Sequence, residues 1–253
     1  MGPYLGTAET LGRRTAEMHL ALASDSSDAA FAPEPFTRED VQLVTADAVA
    51  QAQQALQTLS ARERELPADV KAGAARLLRS RDSLIALIRS AQDLQFVASK
   101  LRIHGDYHLG QVLWSEGDFY ILDFEGEPAR PISQRRLKQS PFKDVAGMIR
   151  SFGYAAYAGL FAHSVSRQTD VERLEPWARL WQASASSAFL RAYFTTATGA
   201  IFVPADPAQR DALLQLFQLD KALYELNYEL NNRPDWVRIP LRGILDLLNP
   251  RVN

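Results

Sequence analysis

The sequence has no cysteine in 253 residues, which rules out disulfides, thiolate metal sites and thiol catalysis and suits a reducing, cytoplasmic setting. It also lacks an excess of either charge. Its 28 basic and 30 acidic residues leave a formal net charge of -2, so neither nucleic acid nor an anionic membrane is an expected partner. Any anion site must be local. Long hydrophobic runs are missing too: Met1 to Gly12 has no apolar core of signal-peptide length. Ala155 to Val165, the most apolar stretch, is too short to span a bilayer and reads as a buried helix. What remains is ordinary globular composition, 47% hydrophobic and 23% charged, enough for a substantial core.

Strand signal is nearly absent from the first hundred residues. Leu11, Thr15, Met18 and Leu22 recur at helical spacing and predict a helix over about Thr7 to Ser24. The Ser, Asp and Pro-rich stretch Ser24 to Phe36 reads as a loop. Thr37 with Asp40 three places on forms a capping-box variant, opening a helix whose Val41, Val44, Ala48, Ala52, Ala55 and Leu59 share a stripe. Pro67 starts another long helix that extends towards Val97. The pattern then changes. Val112-Leu113-Trp114 and Phe119 to Leu122 are short β-rich runs around Ser115-Glu116-Gly117-Asp118, the signature of a hairpin. Helices resume over Phe142 to Ser166, Glu172 to Thr196, Pro207 to Asn231 and Leu241 to Leu248. The expected fold is therefore mostly α with one small β-hairpin.

The chemistry concentrates at that hairpin. Ile103-His104-Gly105-Asp106-Tyr107-His108 runs on to Gln111, and Asp123-Phe124-Glu125-Gly126 follows the second strand. Asp106 and Gln111 have the spacing that separates the base of a protein-kinase catalytic loop from its metal-holding amide, and Asp123 stands where the downstream Asp-Phe-Gly aspartate would. Phosphoryl transfer needs one carboxylate facing the acceptor hydroxyl while another carboxylate and an amide oxygen hold the metal. Asp106 is accordingly the expected base, with Gln111 and Asp123 as Mg²⁺ ligands and His104, His108 and Glu125 as supporting residues. A competing reading makes His104 and His108 a metal pair, although the glycines between and after them argue for a loop. Arg135, Arg136, Lys138 and Lys143 could meet phosphate or sugar oxygens, or pair with Glu125 and Glu127. Asp144 is expected to cap its helix or brace the catalytic loop.

A second informative element is the helix around Lys221. Leu216, Leu219, Leu223, Leu226 and Leu230 form its core stripe, leaving Lys221, Tyr224, Glu225, Tyr228 and Asn232 on the other side. Aromatic planes with an acid, a base and an amide suit a sugar, whereas a Lys221–Glu225 pair on a solvated face would suit the same periodicity. Spacing alone does not choose between them.

His104 to Leu113, Asp123 to Pro128, Ser140 to Phe152, Lys221 to Trp236 and Leu11 to Leu22 together resemble the bacterial maltokinases of the aminoglycoside-phosphotransferase-like superfamily. The resemblance implies a protein-kinase-like fold of which residues 1–253 form a single helical C-terminal lobe, with the catalytic loop and hairpin at 101–127 and the N-terminal nucleotide-binding lobe absent from the chain. It also implies ATP and Mg²⁺ as cofactors and phosphorylation of maltose to maltose 1-phosphate, with possible partners in that N-terminal lobe and a fused trehalose synthase. The sugar reading of the Lys221 helix gains from it. A lobe of this kind alone is expected to bind ATP weakly and turn over little.

Two alternatives accompany that reading. One is a kinase of the same superfamily acting on glucosamine or an aminoglycoside; Lys221, Arg135 and Arg136 weigh against a polycation and towards a neutral sugar. The other is a non-catalytic pseudokinase or docking module, against which the intact Asp106 and Asp123 stand.

Overall fold

A computed structural model describes residues 2–128, 130–163 and 168–249. Its helices are α1 (Gly2–Leu22), α2 (Arg38–Arg62), α3 (Ala68–Arg79), α4 (Arg81–Ser90), α5 (Ile132–Arg135), α6 (Phe142–His163), α7 (Gln168–Thr196), α8 (Pro207–Asn232) and α9 (Arg238–Leu248). Strands are short: β1 (Glu34–Pro35) pairs antiparallel with β2 (Ser99–Lys100), and β3 (Val112–Ser115) pairs antiparallel with β4 (Asp118–Ile121). The chain divides into two compact units, residues 1–36 with 97–205 and residues 37–96 with 206–253.

In the first unit α1 and α6 both pack on α7. Leu11 and Thr15 are buried as their helical spacing predicts, and the interior is aromatic, with Phe142, Phe152, Phe189, Tyr193 and Phe202 all sealed from solvent. The hairpin forms with Val112 opposite Ile121 and Ser115 opposite Asp118. Glu116 and Gly117 both take positive φ at its turn, which matches the twist of the two strands. Arg14 of α1 grips the hairpin by a two-pronged bond to Asp118, Nε to Oδ1 at 2.8 Å and Nη2 to Oδ2 at 2.5 Å. Of the helix expected over 142–166, residues 164–166 lie outside the described residues, as do the last two of the apolar stretch ending at Val165.

The second unit has an aliphatic core. Thr37 caps α2 with the full reciprocal box: its hydroxyl accepts from the Asp40 N–H, and the Asp40 carboxylate accepts from the Thr37 N–H at 2.8 Å. The expected stripe of α2 is buried from Val41 to Leu59, apart from half-buried Val44, and packs on α8. Leu59, Leu77, Leu84 and Ile88 are wholly buried, each contributing about 1.5–3 kcal/mol of hydrophobic stabilisation.

The long helix expected from Pro67 is in fact two. The chain turns at Ser80, whose φ of -92° and ψ of 13° leave the helical region while its N–H is shared among the carbonyls of Arg76, Leu77 and Leu78. This lets Leu77 and Leu84 both reach the core, an advantage that depends on tertiary packing and carries no Gly or Pro marker.

Candidate functional site

The loop around Asp106 is built by backbone hydrogen bonds to side chains. His104, wholly buried, donates from Nε2 to the Leu122 carbonyl at 2.8 Å, which ties the residue two before Asp106 to the residue just before Asp123. Its Nδ1 faces the Asp106 N–H at 3.4 Å. Gly105 and Gly126 complete the join: both have positive φ, and a Cβ on Gly105 would lie 3.3 Å from the Gly126 Cα. Two backbones can approach this closely only without a side chain between them. The Asp106 and Asp123 segments are thus held against each other by one imidazole and one pair of glycines.

Asp106 is half-buried and Asp123 exposed, so neither acid is sealed from solvent. Gln111 Nε2 donates to Asp123 Oδ2 at 2.9 Å, which sets an amide and a carboxylate side by side. Turned about its last bond, the amide would place Oε1 beside the carboxylate, an oxygen pair that would fit Mg²⁺. Asp123 has φ of 65°, an unusual backbone for a residue with a side chain, at the point where the chain leaves β4. A further tie comes from α6: the Ser151 hydroxyl accepts from the Leu109 N–H at 2.8 Å.

His104 spends Nε2 on the Leu122 carbonyl, and His108 uses Nδ1 to accept from the Gly110 N–H at 3.0 Å, so one nitrogen of each ring is tied to the loop backbone. Among the described residues no group of three His, Cys, Asp or Glu side chains is placed to hold a metal. His108 Nε2 instead lies 3.8 Å from Asp106 Oδ2.

Asp144 braces the loop, the second of its two expected roles. Its Oδ2 accepts from the His104 N–H at 2.8 Å and its Oδ1 from the Gly105 N–H at 2.9 Å. The carboxylate is buried, which alone would raise its pKa; the hydrogen bond and charge of His19, with the Gly105 N–H, outweigh burial and hold it below the ordinary value. His19 was missed in the sequence. Its only signal there is its place on the Leu11, Thr15 stripe, four residues beyond Thr15.

The basic cluster resolves into ion pairs and loop contacts. Arg135 lies 3.6 Å from Glu125 and donates to its carbonyl, Glu127 pairs with Arg130 at 3.0 Å, and Lys138 pairs with Glu34 at 2.6 Å. Glu125 itself is exposed, and both its acid and its carbonyl face Arg135.

In the second unit the α8 leucines are buried as expected, and Tyr224, Tyr228 and Asn232 are exposed with Lys221 partly so. Lys221 Nζ sits 5.3 Å from the centre of the Tyr224 ring. Glu225 departs from the expectation of an open polar face: it is buried although the wheel sets it well away from the leucine stripe. Sequence reasoning also passed over Glu229. It is buried and takes a bidentate grip from Arg233 at 2.9 and 2.6 Å, and the Arg233 guanidinium lies over the rings of Tyr228 and Trp236.

No protein-family model matches the chain. It is 31% identical over 252 residues to a glucosamine kinase of Streptacidiphilus jiangxiensis, covering 100% of this chain and 51% of that protein. A glucosamine kinase of Mycolicibacterium smegmatis is 30% identical over 184 residues, 68% of this chain and 41% of the relative. The solved structure of a glucosamine kinase in complex with glucosamine, ADP and inorganic phosphate matches with a TM-score of 0.76 at 27% identity, covering 98% of this chain and 53% of that one. A further crystal form of glucosamine kinase, form A, matches with a TM-score of 0.72 at 28% identity. The chain spans about half the length of the curated relatives it matches. These relatives carry the name glucosamine kinase rather than maltokinase, so they favour the amino-sugar alternative over the maltose acceptor.

Proposed function

We propose that this chain is part of an ATP-dependent kinase that phosphorylates glucosamine or a closely related hexosamine. The observation that carries the proposal is the join of the Asp106 loop to the Gln111–Asp123 pair through His104 and the Gly105–Gly126 approach. The names of the matched relatives and the ADP and glucosamine of the matched structure support the nucleotide and the acceptor. The expected single lobe over residues 1–253, with the nucleotide-binding lobe outside it, remains part of this proposal.

Asp106 takes the proton of the acceptor hydroxyl as that oxygen attacks the terminal phosphoryl group. His104 keeps the loop in place for this by spending its ring on backbone atoms rather than on proton transfer. Gln111 and Asp123 would hold Mg²⁺, which would supply neutralisation of phosphate charge. Tyr224, Tyr228, Lys221, Glu225 and Asn232 of α8 are the proposed sugar-recognition residues; the exposed tyrosine pair offers apolar planes for a sugar ring.

The test is ADP release by the complete protein with glucosamine, glucose and maltose in turn. Glucosamine should be turned over best, and Asp106→Asn should remove about 10²–10⁴-fold of the rate while leaving the fold unchanged. Preference for maltose would return the chain to the maltokinase reading and its trehalose synthase partner. An Asp106→Asn protein of undiminished activity would sink the catalytic assignment altogether.

A further inference from the structure

His19 lies in the interior, wholly buried, on a helix remote in sequence from every residue of the proposed phosphotransfer site. Its Nε2 is 3.2 Å from Asp144 Oδ2, and its Nδ1 is 2.9 Å from the Tyr193 hydroxyl. Beyond Asp144 stand the His104 and Gly105 N–H groups. A continuous line of hydrogen bonds therefore runs from α7, through α1 and α6, to the two residues that precede Asp106.

The geometry points to His19 as a positioning residue: it sets the orientation of the Asp144 carboxylate so that both oxygens meet the loop, and so holds Gly105 in the turn that presents Asp106. A buried carboxylate with two backbone donors still needs its remaining lone pairs satisfied, and an imidazole N–H supplies a donor with little conformational freedom. The Tyr193 hydroxyl engages the other ring nitrogen at 2.9 Å, so the imidazole is held at both nitrogens with Nε2 facing Asp144. Thr15, one turn earlier on α1, repeats the pattern by bonding the Tyr107 hydroxyl at 2.8 Å. α1 thus supports the loop at two levels.

The inference deepens the kinase reading, yet its main test does not need turnover. Amide hydrogen exchange on this chain should show the His104 and Gly105 amides exchanging about tenfold faster or more in His19→Asn, whose amide reaches Tyr193 but not Asp144, while amides in the middle of α6 keep their protection. His19→Gln, whose amide extends to Asp144, should restore most of the slow exchange. If His19→Asn fails to fold, Tyr193→Phe, which removes only the hydroxyl, should speed the same two amides a few-fold. In the complete protein, His19→Asn should lower kcat with the KM for sugar unchanged. Exchange at His104 and Gly105 that stays slow in these variants, or that quickens equally throughout the unit, overturns the positioning role. A wild-type protein without any turnover would overturn the kinase reading while the exchange result still decides this one.

Discussion

His19 and Asp144, 125 positions apart in the chain, meet in a sealed interior with His19 Nε2 3.2 Å from Asp144 Oδ2. The pair is a structural brace rather than a reacting couple, because Asp144 turns both oxygens to the backbone of the catalytic loop. Its consequences can be measured separately from any activity.

The first concerns acid. The folded pKa of Asp144 lies below its unfolded value, so its carboxylate contributes stability that is present above about pH 4 and is lost as pH falls through the folded value. Asp144→Asn should cost about 3–5 kcal/mol at neutral pH, the scale of breaking one side of a buried pair. The gap between the two proteins in urea denaturation should narrow at about pH 3. A gap that is constant with pH would mean that the carboxylate's charge is irrelevant.

Crowding beneath the loop predicts a second effect. A Cβ on Gly147 would come 2.6 Å from the Tyr107 carbonyl oxygen, and backbone cannot step aside as a side-chain tip can. Gly147→Ala should lose about 1–3 kcal/mol of stability by chemical denaturation, despite the better helix propensity of alanine.

Asp123 separates backbone strain from chemistry. At φ of 65° any side chain is disfavoured, so Asp123→Gly should unfold at a temperature no lower than the parent while losing metal-dependent turnover. Asp123→Val should fold markedly less well. Calorimetric melting of the two variants distinguishes the contributions.

At the hairpin, the Arg14 guanidinium, followed by the Phe119 N–H, draws the Asp118 carboxyl down to about 2. In Arg14→Gln its carboxyl carbon signal should titrate close to the ordinary aspartate value of about 4 by NMR. High salt should move the parent value in the same direction, since the pair is open to solvent.

How much could be read from the chain alone differs by the kind of interaction. Local rules located the Thr37 cap, the hairpin and the leucine stripe of α8, because capping, turn formation and 3.6-residue periodicity act between near neighbours. The spacing of Asp106, Gln111 and Asp123 pointed to the candidate site, whose frame is itself a short loop and hairpin. The break at Ser80 was invisible, since nothing in Arg79-Ser80-Arg81 disfavours helix until a core has to be filled from both sides. Glu225 was placed on the polar face by helical periodicity, and only packing shows it buried.

By itself, then, the sequence determined most of the helical segments, where the hairpin falls and which acids and amide stand at a kinase-like spacing. Tertiary structure alone decided that His19 and Tyr193 stand behind Asp144, that His104 joins Leu122, and that Gly105 can lie against Gly126. The reason is physical: periodicity and capping are written in residues a few positions apart, whereas a buried polar group gains its partner from whichever distant segment the core brings within hydrogen-bond reach.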